Sequence, residues 1–537
     1  MENNFDLQEY RKNLVLKSSE EWRRDTFLPF NIRKKILLLS DDLRLPSGVG
    51  TMSKEIVLKT IHRYNWVQVG GAIKHPEKGK IVDMSKEMDR LFGIGENYMR
   101  IYPYDGYGDP DLVRYMINAE KVHAIIHFTD PRFWIWLYQM EHEIRQYIPL
   151  SFYAIWDDVP IPMYNQDYYE SCDSVGCISK QTYNIVKQSR KRLPLESWAL
   201  RYLPHGVDHI NFKPLGLSSP EESFEIKDKK TETVKITNEY EELRDFRKKI
   251  FKERDFDFIV FYNNRNIRRK MPGDVILAFK CFTDMLTEEQ RKKVALVMHT
   301  QPIDENGTDL IAVKRAVAPD INLIFSNDRL EPKYLNYLYN VCDVTINMAS
   351  NEGFGLSTCE SLMVGKPIIA TVTGGLQDQM GFVDENGEYI DPDKHFNSEW
   401  GSNHDGKYKK HGSWVRPLFP TNRALVGSPP TPYIFDDRCD WYDAAVAIKY
   451  WYDVPKEERD KRGLEGREYL IKCGMTSEMM GKNFMDFIDI TFENFKSRKR
   501  FDIFEIKPVD DKIKFVAESF GISDFQKEFA TKWEETK

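Results

Sequence analysis

The chain has no Cys-x-x-Cys pair. Its seven cysteines are scattered over 537 residues, the closest two being Cys172 and Cys177. An odd, dispersed set argues against a disulfide framework or a zinc site and points to reduced thiols in a cytoplasmic protein. No apolar run reaches the ~18 residues that span a bilayer. The first residues, Met1-Glu2-Asn3-Asn4-Phe5-Asp6, hold no apolar signal core. Neither sign of charge dominates: 77 basic residues against 84 acidic leave −7, which speaks against constitutive binding to nucleic acid or anionic membrane. No internal repeat recurs at solenoid spacing.

What is present is core-forming material. Hydrophobic residues make up 41% of the chain and aromatics 13%, which excludes a disordered chain. The length predicts two domains of roughly 200 to 250 residues, or three smaller ones. After a charged helical extension over 1–33, the run Lys35 to Ser40 reads as a buried strand. A glycine turn, Pro46–Thr51, and a helix from Met52 to Tyr64 follow. Short apolar strands recur at Trp66–Gly70, Val122–Phe128, Phe152–Trp156 and Ser174–Ser179. The junction Pro204-His205-Gly206-Val207-Asp208 and a charged insertion over 217–248 separate these from a second alternation. That one has strands at Phe256–Phe261, Lys293–His299, Ile321–Phe325, Val344–Met348 and Pro367–Thr371, with helices at Pro272–Leu286 and Pro332–Val341. Residues 393–437 read as a long ordered insertion, and helices resume near Asp440. The alternation predicts an α/β protein of two doubly wound domains with a cleft between them.

The richest segment is Asn351-Glu352-Gly353-Phe354-Gly355-Leu356-Ser357-Thr358-Cys359-Glu360. It sets two carboxylates eight positions apart around a Gly-Phe-Gly turn that opens a helix. Glycines let backbone N–H groups approach a ligand. A helix N-terminus offers donors and positive partial charge to an anion. Carboxylates in its first turns accept from hydroxyls. Phosphate donors beside hydroxyl acceptors describe a pocket for a sugar nucleotide.

Five motifs in order resemble the retaining glycosyltransferases of the GT-B fold, such as bacterial mannosyltransferases, sucrose synthases and bacterial glycogen synthases. They are the glycine loop Pro46–Thr51, Pro204–Asp208, Arg265-Asn266-Ile267-Arg268-Arg269-Lys270, the Glu-x7-Glu of Glu352 and Glu360, and Gly374-Gly375. The resemblance covers about Lys35 to Phe495. It implies two Rossmann-like domains facing a central cleft: an acceptor domain over 1–204 and a donor domain over 205–481. Helices within 482–537 cross back to the first domain.

The resemblance also implies roles. Glu360 holds ribose hydroxyls. Glu352 contacts the transferred sugar near its anomeric centre. Gly353, Phe354, Gly355, Leu356 and Ser357 meet sugar and diphosphate, with Phe354 packing the turn. Arg265 and Lys270 stabilise the leaving diphosphate without a metal, with Arg268 and Arg269 as basic neighbours. Gly48 and Gly50 bring the first domain's loop to the donor phosphate. His127, at the end of its strand, lies by the reacting sugar, and His123 shares its strand face. His299 and Leu330 line the nucleotide pocket. Asp130, Asp157 and Asp158, at strand ends, are candidate acceptor ligands or, more simply, water-exposed turn carboxylates. No metal or cofactor is expected. The donor is UDP- or GDP-linked, and transfer retains configuration by front-face attack. The acceptor stays open among carbohydrate, lipid-linked sugar and protein glycan. Local basic runs such as Lys187–Arg192, Lys407–Lys410 and Lys496–Arg500 keep a hydroxymethylated viral DNA base among the alternatives, beside a non-catalytic sugar-nucleotide-binding subunit.

Overall fold

The computed structural model describes residues 23, 25–92, 95–190, 196–215, 223–227, 234–252, 254–396 and 402–498. Most of the expected 1–33 extension and the segment after 498 lie outside them. In the first domain, β1 (Lys35–Asp41), β2 (Asn65–Gly71), β3 (Val82–Asp83), β4 (Met99–Pro103), β5 (Ala124–Phe128), β6 (Leu150–Ala154), β7 (Ser174–Cys177) and β8 (Leu200–Tyr202) form one sheet. Its order is β3-β4-β2-β1-β5-β6-β7-β8. The pairs are parallel except β3 on β4. β1 is buried from Ile36 onward. A strand covered by helices on both faces has no polar side to alternate with, so the continuous apolar run is the signal.

Helix α1 (Gly48–Thr60) follows β1. It starts four residues before the expected Met52, because Ser47 caps it by accepting from the Gly50 N–H at 2.9 Å. The glycine loop is thus the helix's first turn. Helix α2 (Lys180–Ser189) follows β7.

The charged insertion is more ordered than expected. A hairpin of β9 (Ser223–Lys227) and β10 (Val234–Asn238) leads into α3 (Glu239–Phe251). That helix docks on the second domain through Glu242, which accepts from the Tyr337 hydroxyl at 2.6 Å. The second sheet contains β11 (Phe258–Asn263), β12 (Val294–His299), β13 (Leu323–Ser326), β14 (Val344–Asn347), β15 (Ile368–Thr371) and β16 (Val415–Leu418). All pairs are parallel, in the order β13-β12-β11-β14-β15-β16. β16 comes from the segment read as an insertion, 393–437. The rest of that segment supplies the hairpin β17 (Asn422–Ser428) and β18 (Thr431–Arg438). Helices α4 (Pro272–Asp284), α5 (Pro332–Val341) and α6 (Leu356–Met363) connect the strands. Helices α7 (Trp441–Asp453), α8 (Lys456–Lys472) and α9 (Ser477–Asn494) end the described chain.

Both sheets reverse winding direction at a central strand, β1 in the first and β11 in the second. Crevices therefore open at their carboxyl ends. One apolar cluster runs through both domains, from Ile36 and Tyr153 to Phe354, Leu362 and Phe484. The chain crosses between domains twice, and the two crossings touch. Val207 bridges Thr476, with the Val207 N–H on the Met475 carbonyl at 3.1 Å and the Ser477 N–H on the Val207 carbonyl at 3.1 Å. Helix α9 then packs on α1. Asp489 accepts from the Tyr64 hydroxyl at 2.6 Å, and Lys59 pairs with Glu478 at 3.1 Å.

Gly206 sits where the crossings meet. A Cβ there lies 2.3 Å from the Thr476 carbonyl oxygen, a backbone atom with nowhere to move. Gly206→Ala is expected to cost about 1–3 kcal/mol by overpacking. Thermal unfolding followed by circular dichroism checks this; an unchanged Tm contradicts the close approach.

Candidate active site

β11 and β14 are neighbours, pairing Val260 with Val344, so the loops at their carboxyl ends emerge side by side. The β11 loop ends in a tight 3-10 turn, Arg268–Lys270. The backbone then reverses at Met271, which holds φ +48° before Pro272 opens α4. The loops are stitched together. The Ser350 N–H donates to the Arg269 carbonyl at 2.8 Å, and Arg269 Nη1 to the Asn351 carbonyl at 2.7 Å. This places Lys270 Nζ in an ion pair with Glu352 Oε2, the two side chains being only 8% and 12% exposed. Burial alone favours the protonated acid. The charges of Lys270 and Arg269 outweigh it, and the Glu352 carboxyl is held below its ordinary pKa. Glu352 is a carboxylate facing two cations.

The Gly-Phe-Gly turn after Glu352 is held from behind by Gly374-Gly375. Gly374 takes φ +46°, and a Cβ there would lie 1.9 Å from the Glu352 carbonyl oxygen. The Gly375 N–H donates to that same carbonyl at 3.0 Å. The fifth motif therefore shapes the fourth. Phe354 is buried against His205, with ring centroids 5.1 Å apart, so it packs the turn. Gly355 is the N-cap of α6 and has no side chain to cap it, which leaves first-turn N–H groups for an anion. Across the cleft, a side chain on Gly48 would lie 3.8 Å from Leu356 Cδ1. The starts of α1 and α6 thus face one another. Gly50 serves its own loop, where a Cβ would strike the Leu45 carbonyl at 2.6 Å.

Glu360 lies one turn into α6. It accepts from the Tyr339 hydroxyl at 2.8 Å, and Tyr339 in turn accepts from Asn263 Nδ2 at 2.8 Å. Burial pushes the Glu360 carboxyl up to about 7, and the Tyr339 bond works against that rise. The Ser357 hydroxyl is buried at the same helix start without a protein partner. His299 ends β12, with Nδ1 on the Ser326 hydroxyl at 2.9 Å, and Leu330 packs just beyond β13.

Several expected residues sit elsewhere. Arg265 is 62% exposed and reaches Asp304 at 3.0 Å; the second cation at Glu352 is Arg269. His127 is fully buried in the first domain's outer core layer. Its Nδ1 is 2.7 Å from the Tyr138 hydroxyl and its ring stacks on Phe152 at 5.0 Å. Burial lowers its pKa to about 3, so it is neutral. His123 precedes β5 and accepts from the Lys35 N–H at 3.0 Å. The imidazole in the field of Glu352 is His205. It bonds the Tyr153 hydroxyl at 2.8 Å and is likewise lowered to about 3 by burial, with Glu352 opposing. Asp157 and Asp158 are not water-exposed turn carboxylates. They are partly buried against the second domain, where burial raises both. Asn351 donates to Asp158 Oδ1, and Gln181 Nε2 to the Asp157 carbonyl. Gln181 Oε1 accepts from the Gly374 N–H at 3.1 Å. Asp130 pairs with Arg132.

Two facing Rossmann-like domains with this crevice make the fold GT-B, the architecture shared by many glycosyltransferases. Residues 244–397 match the family model described as "Glycosyl transferases group 1". Solved structures align along most of the chain. Sucrose-phosphate synthase from Thermosynechococcus elongatus is 13% identical with a TM-score of 0.57, over 86% of this chain and 100% of its own. Anabaena HepE in complex with UDP and glucose is 11% identical with a TM-score of 0.55, over 85% and 100%. An E. coli trehalose-6-phosphate structure bound with UDP-2-fluoro glucose is 10% identical with a TM-score of 0.52, over 85% and 99%. No curated protein sequence matches the chain. Among the described residues, no helix is long and apolar enough to cross a membrane.

Glu360 gives a pH signature. A carboxyl raised to about 7 in the fold, against an ordinary 4.5 unfolded, contributes stability that is present below 4.5. That stability is lost as pH rises through about 7. Relative to Glu360→Gln, which cannot ionise, the wild type should lose about 1–3 kcal/mol between pH 4.5 and 8. Paired urea titrations across that range check it; parallel pH profiles refute it.

Proposed function

We propose that the protein is a retaining glycosyltransferase, moving a sugar from a nucleoside-diphosphate sugar to an acceptor hydroxyl. The observation that carries this reading is the Glu352 carboxylate paired with Lys270 and lying in the field of Arg269, just before α6. The group 1 match over 244–397 spans these residues, and the UDP-containing neighbours favour a uridine donor over GDP.

In this reading, the ribose hydroxyls donate to Glu360. The diphosphate lies between the starts of α1 and α6 and beside Lys270 and Arg269. Glu352 accepts from a hydroxyl of the transferred sugar, and its charge faces the anomeric carbon. The bond from that carbon to the phosphate oxygen breaks, and its electron pair stays on the diphosphate. Two cations fixed in advance stabilise that growing charge without reorganising. The acceptor oxygen forms its bond on the face the diphosphate leaves, and its proton passes to a diphosphate oxygen. Configuration is retained, and the protein needs no nucleophile of its own and no metal. Arg265 stands at the rim on Asp304, and His127 acts only by supporting β5.

Glu352→Ala should lower kcat at least about 100-fold, the scale for removing one electrostatic contact to the transition state. Donor binding, read as a thermal shift, should persist. EDTA should leave the wild-type rate unchanged, and NMR of the product should show the donor's anomeric configuration. A Glu352→Ala enzyme at wild-type rate, an EDTA-sensitive rate or an inverted product each overturns the assignment it tests.

A further inference from the structure

At the far end of the second sheet from Glu352 lies a cavity of about 380 Å³. The reacting centre stands at the carboxyl ends of β11 and β14. This cavity opens at their amino ends, among the residues that lead into β11, β14 and β15, between α3 and α8. Small-molecule sites enclose on the order of 300–1,000 Å³, and the cavity is of that size. Its floor is apolar, made by Leu243, Phe256, Val341 and Val364, all buried.

Its rim is charged, and the cations are in excess. Lys366 and Lys456 share one carboxylate, Asp460, the first at 3.5 Å. Asp343 is fully committed: it accepts from the Ile259 N–H at 2.8 Å and from Arg459 Nη2 at 2.9 Å. Arg247 donates to two backbone carbonyls, Val341 at 3.1 Å and Phe256 at 2.7 Å, which leaves its charge unpaired. Arg244, exposed on the same helix, pairs with no carboxylate among the described residues. Against these stands Asp257, exposed and also unpaired. With Arg459 counted, five cations meet three carboxylates, so the rim carries two uncompensated positive charges. An apolar floor under such a rim suits a molecule with an apolar body and an anionic head. Burial of the body gives affinity, and a guanidinium recognises phosphate or carboxylate. An organic cation would meet the excess of like charge.

The cavity also touches the helices that hold Glu360. α5 carries Tyr339, whose hydroxyl donates to Glu360, and ends at Val341 in the cavity wall. α6 carries Glu360 itself, and its C-cap, Val364, is part of the floor. Asn340 ties this wall to the segment between the domains, accepting from the Leu215 N–H at 2.7 Å and donating to the Lys213 carbonyl at 3.1 Å. At Gly365, which holds φ +76°, a Cβ would lie 3.0 Å from Leu464 Cδ2 and 3.4 Å from Pro214 Cγ. The end of α6, α8 and the interdomain segment therefore meet at one point beside the cavity.

We infer that this cavity binds a small organic anion, apolar in body with a phosphate or carboxylate head, and that its occupancy tunes donor binding through α5 and α6. The coupling rests on the glycosyltransferase reading above; the binding does not.

The test titrates the full-length protein with phenyl phosphate, benzoate, inorganic phosphate and benzylamine, followed by ligand-observed NMR. UDP, or GDP if UDP does not bind, is held at saturation to fill the donor crevice. Phenyl phosphate or benzoate should bind, and the tighter of the two identifies the head group. Inorganic phosphate and benzylamine should each bind at least about tenfold more weakly. Arg244→Glu should weaken the aryl anion about tenfold, the scale of one charge-assisted bond, and Arg244→Lys should retain most of its affinity. Arg244 is exposed, so both variants should keep the wild-type Tm and the basal turnover. In titrations without saturation, the anion should change nucleotide affinity at least about fivefold, and the nucleotide should change anion affinity by the same factor. No binding of either aryl anion, equal binding of inorganic phosphate or benzylamine, or an affinity indifferent to Arg244→Glu overturns the site. Anion binding that leaves nucleotide affinity unchanged overturns the coupling. A protein that binds the aryl anion but no nucleotide or nucleotide sugar keeps the site and loses the transferase reading.

Discussion

A lysine and a glutamate that neither water nor the core can hold alone set the rest of the site. Lys270 and Glu352 are nearly excluded from solvent, and each is tolerable there because the other is present. Removing one would leave an uncompensated charge. The pair exists only because β11 and β14 are adjacent at the point where the second sheet reverses winding. The tight turn Arg268–Lys270, the left-handed Met271 and the close packing of Gly374 on Glu352 all keep that geometry. Arg269 adds a second positive field to the pair and holds the Glu352 carboxyl below its ordinary value together with Lys270.

The second constraint is the clasp beside the pair. Asp157, Asp158 and Val159 reach from the end of β6 into the second domain. There they meet Asn351 and Phe435, the latter with its N–H on the Val159 carbonyl at 2.8 Å, while Gln181 of α2 holds the Asp157 carbonyl from the first domain. The β17–β18 hairpin is thereby fixed over the first domain and forms a wall of the cleft. The two sides of the cleft share these contacts, so the position of one loop sets the reach of the other.

Much of this was legible in the sequence. The central strands of both sheets stand out because parallel strands covered on both faces are continuous apolar runs, whereas β3, β4, β8 and β16, only partly buried, do not. Lys270, Glu352 and Glu360 stood out through motifs that resemble those of the glycosyltransferases, and the structure pairs the first two and sets Glu360 one turn into α6. Arg269 was not legible, because a single 3-10 turn decides which of four nearby basic residues points inward, and spacing does not encode that rotation. The exchange of His127 for His205 has a similar cause. The two imidazoles pack on opposite faces of the first sheet, and His205 comes near Glu352 only through the crossing between domains. Asp157 and Asp158 read as surface turns because their burial comes from the other domain. The β17–β18 hairpin was hidden for a different reason: every residue of β17 is exposed or half-buried, which leaves no buried face to alternate with.

A Lys270–Glu352 crevice that takes a nucleoside-diphosphate sugar must also release its nucleotide on turnover. The most direct measurement is a panel of nucleotide sugars incubated with the purified full-length protein, with nucleotide release and sugar transfer both followed by mass spectrometry. One donor, most readily a UDP-sugar, should lose its sugar and yield the nucleoside diphosphate. A panel in which no nucleotide sugar binds or turns over would contradict it.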